Sequence, residues 1–317
     1  MAQFESRRVE FAMPWPTPYP VPDQTGRLAI VTGASSGTGA EIARRLAMAG
    51  GEVVLAVRDV VKGEGVRDRI LGEEPAGKLT VAHLDLADLN TVRPFADRFD
   101  RPIDLLVNNA GVLAPPKRMV TKDGFELQFG TNFLGPFALT VGLLPQLLRA
   151  DRPRVATMSS AAAVQGRLVL DDLQSERRYS PFGAYGTSKL ADLIMAKHLA
   201  RIAAAHRWPL LSVVAHPGST RTNLDSGRDL GRDRPRTRWF DWRSLFPKMD
   251  VAEGVEPLLV AATSPDAVNG EYYGPSGRFE ATGAPTIARL PARARDIDLA
   301  ARLWAAAESL TGATLRA

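Results

Sequence analysis

Apolar residues recur along this chain in short continuous runs, at 28–31 (LAIV), 53–57 (VVLAV), 79–84 (LTVAHL), 103–107 (IDLLV), 155–158 (VATM) and 210–215 (LLSVVA), with Tyr272-Tyr273 a short late candidate. Between them lie stretches with helical spacing, such as Glu41-Ile42-Ala43-Arg44-Arg45-Leu46. Strands that are apolar throughout, alternating with helices, are the pattern of a parallel sheet covered on both faces. The pattern predicts an α/β fold built on a single doubly wound parallel sheet, with right-handed crossovers.

Two helix starts are marked. Ser180-Pro181 places a capping residue before a proline at the first helical position, and Asp296 opens a C-terminal stretch whose Ile297, Leu299, Ala300, Leu303 and Trp304 form one apolar stripe. That last helix is expected to close the sheet edge or to contact a second subunit. No Gly/Ser-rich linker divides the middle of the 317 residues, so residues 25–317 are expected to form one domain. Residues 1–24 differ. Pro14, Pro16, Pro18, Pro20 and Pro22 occupy alternate positions around Trp15 and Tyr19, which favours an extended arm. A partly disordered tail is the favoured reading; the alternative packs the aromatic residues on the domain or on a neighbouring subunit.

Composition narrows the chemistry. The chain has no cysteine, which excludes disulfides, thiolate metal sites and a thiol nucleophile. The four histidines, His83, His198, His206 and His216, lack metal-ligand spacing with one another or with a carboxylate, so no metal is expected. His216 stands directly before Pro217, with a structural role favoured over lining a ligand site. The net charge of +5 does not indicate nucleic acid, because Lys and Arg are interspersed with Asp and Glu. With no signal peptide and no long apolar run, a soluble cytoplasmic protein without a transmembrane segment is expected.

Two segments carry the chemistry. The first, Thr32-Gly33-Ala34-Ser35-Ser36-Gly37-Thr38-Gly39, joins an apolar run to a helical pattern. Glycines there allow a tight turn and close approach of the backbone to a pyrophosphate, and the helix start offers free N–H groups. At the end of the second run stands Arg58, where an acidic residue would repel a ribose 2′-phosphate and a guanidinium would bind it. This points to NADP(H); the competing reading pairs Arg58 with Asp59. In the second segment, Tyr185 and Lys189 are four residues apart and so share one helix face. A positive charge beside a phenol favours the phenolate, which suits a tyrosine that gives a proton to, or takes one from, a reacting oxygen.

The chain resembles the short-chain dehydrogenase/reductase family, and within it the retinol-dehydrogenase-like branch found in many soluble bacterial oxidoreductases. The resemblance spans roughly residues 24–310. It rests on TGASSGTG, Leu84-Asp85-Leu86, Asn108-Asn109-Ala110-Gly111, Thr131-Asn132-Phe133-Leu134-Gly135, Ser159-Ser160, Tyr185 with Lys189, and Pro217-Gly218 followed by Thr222. It implies a Rossmann-type fold, with Asp85 and the backbone at Leu86 holding the adenine and Asn109 standing where the fourth strand meets the cofactor. Thr222 would reach the nicotinamide carboxamide. Ser160, not Ser159, would be the catalytic serine and donate a hydrogen bond to the substrate oxygen. Asn132 would hold a water linking Lys189 to solvent, and Lys189 would also touch the ribose.

The function expected is an NADP(H)-dependent carbonyl reductase or alcohol dehydrogenase. The alternatives are a silent NADP-binding regulator, which an intact Ser, Tyr and Lys set disfavours, and an epimerase or dehydratase, for which the C-terminal portion is short. A stretch from 223 to 250 is expected to be the substrate lid. It mixes Arg228, Arg232, Arg234, Arg236, Arg238, Arg243 and Lys248 with Trp239, Phe240, Trp242, Leu245 and Phe246. Its aromatic residues suggest a carbonyl or alcohol substrate with an apolar or ring-containing body. A basic surface facing water is favoured over an anionic substrate or an acidic membrane. A homo-oligomer is expected.

Overall fold

The structure is a computed structural model that describes residues 14–220 and 248–315. Its first half alternates strand and helix without exception: β1 (Leu28–Thr32), α1 (Gly37–Met48), β2 (Glu52–Val57), α2 (Val60–Leu71), β3 (Lys78–His83), α3 (Leu89–Ala96) and β4 (Leu105–Asn108). A π-helical turn (Phe129–Leu134) then runs into α4 (Gly135–Leu147) and β5 (Arg154–Met158). The long α5 (Pro181–His206) is followed by β6 (Leu211–Ala215), α6 (Val251–Gly254), α7 (Glu256–Thr263), β7 (Tyr272–Pro275), β8 (Pro285–Ile287) and α8 (Ile297–Thr311).

The strands form one sheet in the order β3-β2-β1-β4-β5-β6-β7-β8. All pairings are parallel except β7 with β8. The chain reverses its direction of progress across the sheet between β1 and β4, and in such sheets the crevice beyond the carboxyl ends at this point is where ligands bind. β1, β4 and β5 are buried at every position, as continuous apolar runs require. Edge strand β3 is not: Lys78, Thr80 and His83 are exposed, because one of its sides has no neighbouring strand. The antiparallel β8 has no apolar run to announce it.

Each face of the sheet carries its own core. On one, Phe95 of α3, Phe133 and Phe137 of the π turn and α4, and Leu190 and Ile194 of α5 pack with Leu303 and Trp304 of α8. On the other, Ile42 and Leu46 of α1, Val66 and Ile70 of α2, and Leu258 and Leu259 of α7 pack with Tyr273 and Tyr19. The C-terminal helix does not close the sheet edge, the first of its two expected placements. It lies over α4 and α5 on one face, with the Trp304 ring 4.8 Å from that of Phe137. Its stripe is Ala300, Leu303, Trp304 and Ala307, and Ile297 is exposed.

The described part of the arm packs on the domain. Tyr19 is buried; its N–H donates to Glu256 Oε2 at 2.8 Å, and Arg45 bonds both Glu256 and the Tyr19 carbonyl. Trp15 meets Tyr273 edge-on at 5.7 Å and its N–H donates to the Pro285 carbonyl at 2.9 Å. These aromatic residues bury apolar area that a solvated tail would leave in water. Residues 1–13 and 221–247, and with them nearly all of the proposed lid and Thr222, lie outside the described residues.

Candidate active site

The loop from β1 to α1 turns through Gly33 at φ +67° and Gly37 at φ +53°. A Cβ on Gly33 would lie 2.8 Å from the Ala110 Cα, and one on Gly39 2.5 Å from Asn109 Nδ2, so glycine alone lets this loop lie against the end of β4. Hydrogen bonds lock that approach. Thr38 Oγ1 donates to Asn109 Oδ1 (2.8 Å), Asn109 Nδ2 donates to the Thr32 carbonyl (2.9 Å), and Thr32 Oγ1 accepts from the N–H groups of Asn109 and Ala110 (3.0 Å each). Ser36 stands at the α1 N-cap, but its side chain bonds no helix N–H, and no acidic residue occupies the first turn. The positive end of α1 thus has no anion of its own, and beside it Gly37 has open space where a Cβ would be. This cradle fits the pyrophosphate of a dinucleotide.

The remaining described positions expected to meet the cofactor lie along the same carboxyl edge. Arg58, directly after β2, is exposed, while Asp59 accepts from the Lys62 N–H at 3.1 Å and pairs with the Lys62 ammonium at 3.4 Å. The Arg58–Asp59 pairing is therefore not formed. Asp85 lies beyond β3, its Oδ1 accepting from the Ala87 N–H at 3.0 Å, and Leu86 is buried beside Gly135. Gly111 lies against Asn132 and Lys189: a Cβ there would be 3.2 Å from Asn132 Oδ1 and 3.6 Å from Lys189 Nζ. Beyond β6, Pro217 and Gly218 are partly buried, Gly218 at φ +61°.

Helix α5 starts where the Ser180-Pro181 signal places it, with the Ser180 side chain accepting from the Gly183 N–H. Tyr185 is partly exposed, and Lys189, one turn further on, is buried. The Lys189 ammonium donates to the Met158 carbonyl at the end of β5 and to Asp192 Oδ2, both at 2.9 Å. It also interacts electrostatically with Tyr185. The two serines after β5 are placed differently. Ser159 is buried and its hydroxyl donates to the Lys189 carbonyl at 2.7 Å. Ser160 is partly exposed; its Oγ accepts from the Ala162 N–H, and its own hydrogen has no acceptor among the described residues.

Asn132 sits in the π-helical turn, a backbone form often found at functional sites. Its Nδ2 donates to the Val112 carbonyl (3.0 Å) and to Ser188 Oγ (2.9 Å), while Oδ1 accepts from the Val112 N–H (2.7 Å). Both amide hydrogens are spent on protein, so a water at this position has only an oxygen acceptor to meet.

Two groups near the site, Glu280 and Tyr272, escape sequence reasoning, whereas His216 has the structural role expected of it. His216 is fully buried, and its Nε2 lies 3.1 Å from Glu280 Oε2 while its Nδ1 accepts from the Gly218 N–H at 3.3 Å, which assigns the ring hydrogen to Nε2. Burial pushes the Glu280 carboxyl up, but hydrogen bonds from His216 and the Arg289 N–H outweigh it and hold it below its ordinary value. Tyr272 packs on His216 at 5.2 Å, with its hydroxyl 3.5 Å from the Ser160 carbonyl. Burial pushes this phenol up, away from the range in which a tyrosine gains or loses a proton near neutrality. Of Tyr272 and Tyr185, the phenol that is partly exposed is Tyr185. Glu280 is 64 residues from His216, and no local pattern signals that pair.

A glycine cradle at the switch point of a doubly wound sheet, with a tyrosine and a buried lysine across from it, defines a nicotinamide-type oxidoreductase site. Residues 27–232 match the family described as short chain dehydrogenase, and the chain belongs to that family. It is 40% identical over 304 residues to a polyprenol dehydrogenase of Mus musculus, covering 92% of this chain and 86% of the relative. It is 33% identical over 293 residues to retinol dehydrogenase 12 of the same species, covering 90% and 87%. An uncharacterized protein from Mycobacterium paratuberculosis superposes with a TM-score of 0.80 at 38% identity, over 96% of this chain and 100% of that one. A short chain dehydrogenase of Shigella flexneri complexed with NADP gives 0.60 at 25% identity, over 78% and 96%. The protein is a retinol-dehydrogenase-like oxidoreductase. Among the described residues no helix is long and apolar enough to cross a membrane, and no cluster of three potential metal ligands occurs.

Proposed function

We propose that the protein is an NADP(H)-preferring oxidoreductase that interconverts a carbonyl and a secondary alcohol on a substrate with an apolar or ring-containing body. The observation that carries this reading is the placement of Lys189, a buried ammonium one turn from the partly exposed Tyr185 on α5. When bound, the nicotinamide supplies or removes the hydride. Tyr185 gives its phenolic proton to the developing alkoxide, or takes the alcohol proton in the reverse direction. Ser160 donates its free hydroxyl hydrogen to the same oxygen, where negative charge grows. Lys189 favours the phenolate through its charge and directs its remaining N–H toward the Gly111 side, where the ribose would lie. Asn132 holds the Val112 and Ser188 walls of this space.

Arg58 supports the choice of NADP(H), because it is exposed beyond β2 and its acidic neighbour is engaged with Lys62. The solved relative complexed with NADP agrees with this. The substrate preference draws on the polyprenol and retinol dehydrogenases it resembles and on the aromatic residues of 223–250. The test is to follow NADPH absorbance against a panel of long-chain, cyclic and small polar ketones and aldehydes. Turnover of the apolar members with NADPH, lost in Tyr185→Phe, is the expected result. No NADPH turnover of any carbonyl or alcohol would overturn the reading.

A further inference from the structure

Asp192 lies on α5 one turn beyond Lys189, and the two form an ion pair of 2.9 Å with side-chain exposures of 1% and 5%. The second carboxylate oxygen, Oδ1, is buried with no hydrogen-bond partner among the described residues. Desolvating a carboxylate costs several kcal/mol. The proton-transfer roles of Tyr185, Ser160 and Lys189 do not use it. What explains its position is its contact, and its hydrogen bond is to the Lys189 ammonium.

Lys189 has a need that such a group meets. A buried lysine without a counter-charge gives up its proton near or below neutral pH. The Met158 carbonyl supplies a dipole but no net charge. An uncharged Lys189 would neither favour the Tyr185 phenolate nor attract an anionic dinucleotide. We propose that Asp192 is the counter-ion that keeps the buried Lys189 charged, a positioning residue that acts on the reaction only through Lys189. Its purpose rests on the oxidoreductase reading above, whereas the charge of the pair is a property of the chain itself.

The electrostatics of the pair run in the required direction. Burial pulls the Lys189 ammonium down, but Asp192 and Tyr185 outweigh it and hold it above its ordinary value. Burial pushes the Asp192 carboxyl up to about 7, against the pull of Lys189.

The surroundings leave this task to Asp192. On α5 itself Tyr185 is the other group acting on Lys189, and the later His198 interacts with Arg201 and with Glu308 of α8. Strand β5 contributes the Met158 carbonyl and the Ser159 hydroxyl, and the π-helical turn contributes the neutral Asn132. His216, beyond β6, is engaged with Glu280, and Tyr272 of β7 interacts with Glu280 and Tyr185.

The experiment compares urea unfolding of the ligand-free wild type and Asp192→Asn between pH 7.5 and 9.5. If Asp192 holds the charge, native Lys189 in the variant is neutral while unfolded Lys189 is protonated. The unfolded state then binds more protons, and stability rises with pH. Relative to wild type, the variant's unfolding constant should fall by up to tenfold per pH unit, and this slope should vanish in Lys189→Met/Asp192→Asn. Parallel pH dependence of wild type and Asp192→Asn would overturn the proposal. A measurement on the wild type alone guards against a variant that does not fold: NADPH affinity should be constant from pH 8 to 9.5. A tenfold loss across that window would also overturn it. Failure of NADPH to bind at any pH would instead count against the oxidoreductase reading and leave the unfolding result standing.

Discussion

The Ser159 hydroxyl donates to the main-chain carbonyl of Lys189 at 2.7 Å, which ties the end of β5 to the middle of α5, whereas the hydroxyl hydrogen of the partly exposed Ser160 has no acceptor among the described residues. Two adjacent serines thereby take different tasks. Ser160→Ala should lower kcat by about 10²–10³, the usual cost of removing one donor to a developing oxyanion, and should cost about 1 kcal/mol of stability for the lost cap on the Ala162 N–H. Ser159→Ala should lose about 1 kcal/mol of stability for one buried hydrogen bond, with a smaller effect on kcat. Steady-state kinetics and urea unfolding of both variants check the division. The reverse pattern would exchange the two roles.

Tyr185→Phe removes the proton that the alkoxide needs while keeping the ring. Turnover should fall by at least about 10²–10⁴ and NADPH affinity should stay close to wild type. Lys189→Ala should impair both, since its charge serves the phenol and the cofactor. Fluorescence titration with NADPH alongside kinetics separates the two effects. Substantial turnover by Tyr185→Phe would remove Tyr185 from the proton-transfer step.

Arg58 bears on cofactor choice. A charge-assisted contact to the 2′-phosphate is worth about 1.5–3 kcal/mol, so Arg58→Ala should reduce kcat/KM with NADPH roughly tenfold or more and leave the value with NADH nearly unchanged. Equal use of both cofactors by the wild type would argue against the assignment.

Glu256 anchors the arm. It is 2% exposed and accepts from the Tyr19 N–H and from Arg45, so Glu256→Ala leaves a half-buried guanidinium and a buried N–H without their acceptor. Breaking a buried pair from one side costs about 3 kcal/mol. Urea unfolding should show that loss, while Tyr19→Phe, which keeps the ring and the N–H, should stay within about 1 kcal/mol of wild type. A Glu256→Ala variant as stable as the parent would mean that the arm's attachment contributes nothing.

Much of this protein is determined locally. An apolar run long enough to cross a sheet, followed by amphipathic spacing, has few folded solutions other than a strand and its covering helix, and β1, β2, β4, β5 and β6 lie where their runs are. The glycine turn is legible for the same reason, since positive φ at Gly33 and Gly37 is a property of those residues. Tyr185 and Lys189 share a face by helix geometry alone. The tertiary structure decided what depends on distant partners. A stripe on α8 specifies that something will be covered but not what, and only packing against Phe137 directs it over α4 and α5. The arm's Tyr19 N–H meets a carboxylate 237 residues away, and His216 meets Glu280 across 64. Asp192 is the intermediate case. Its spacing from Lys189 is written in the chain, but an i,i+3 pair of opposite charges is ordinarily solvated, and only burial on both sides by the sheet and the π-helical turn makes one the counter-ion of the other.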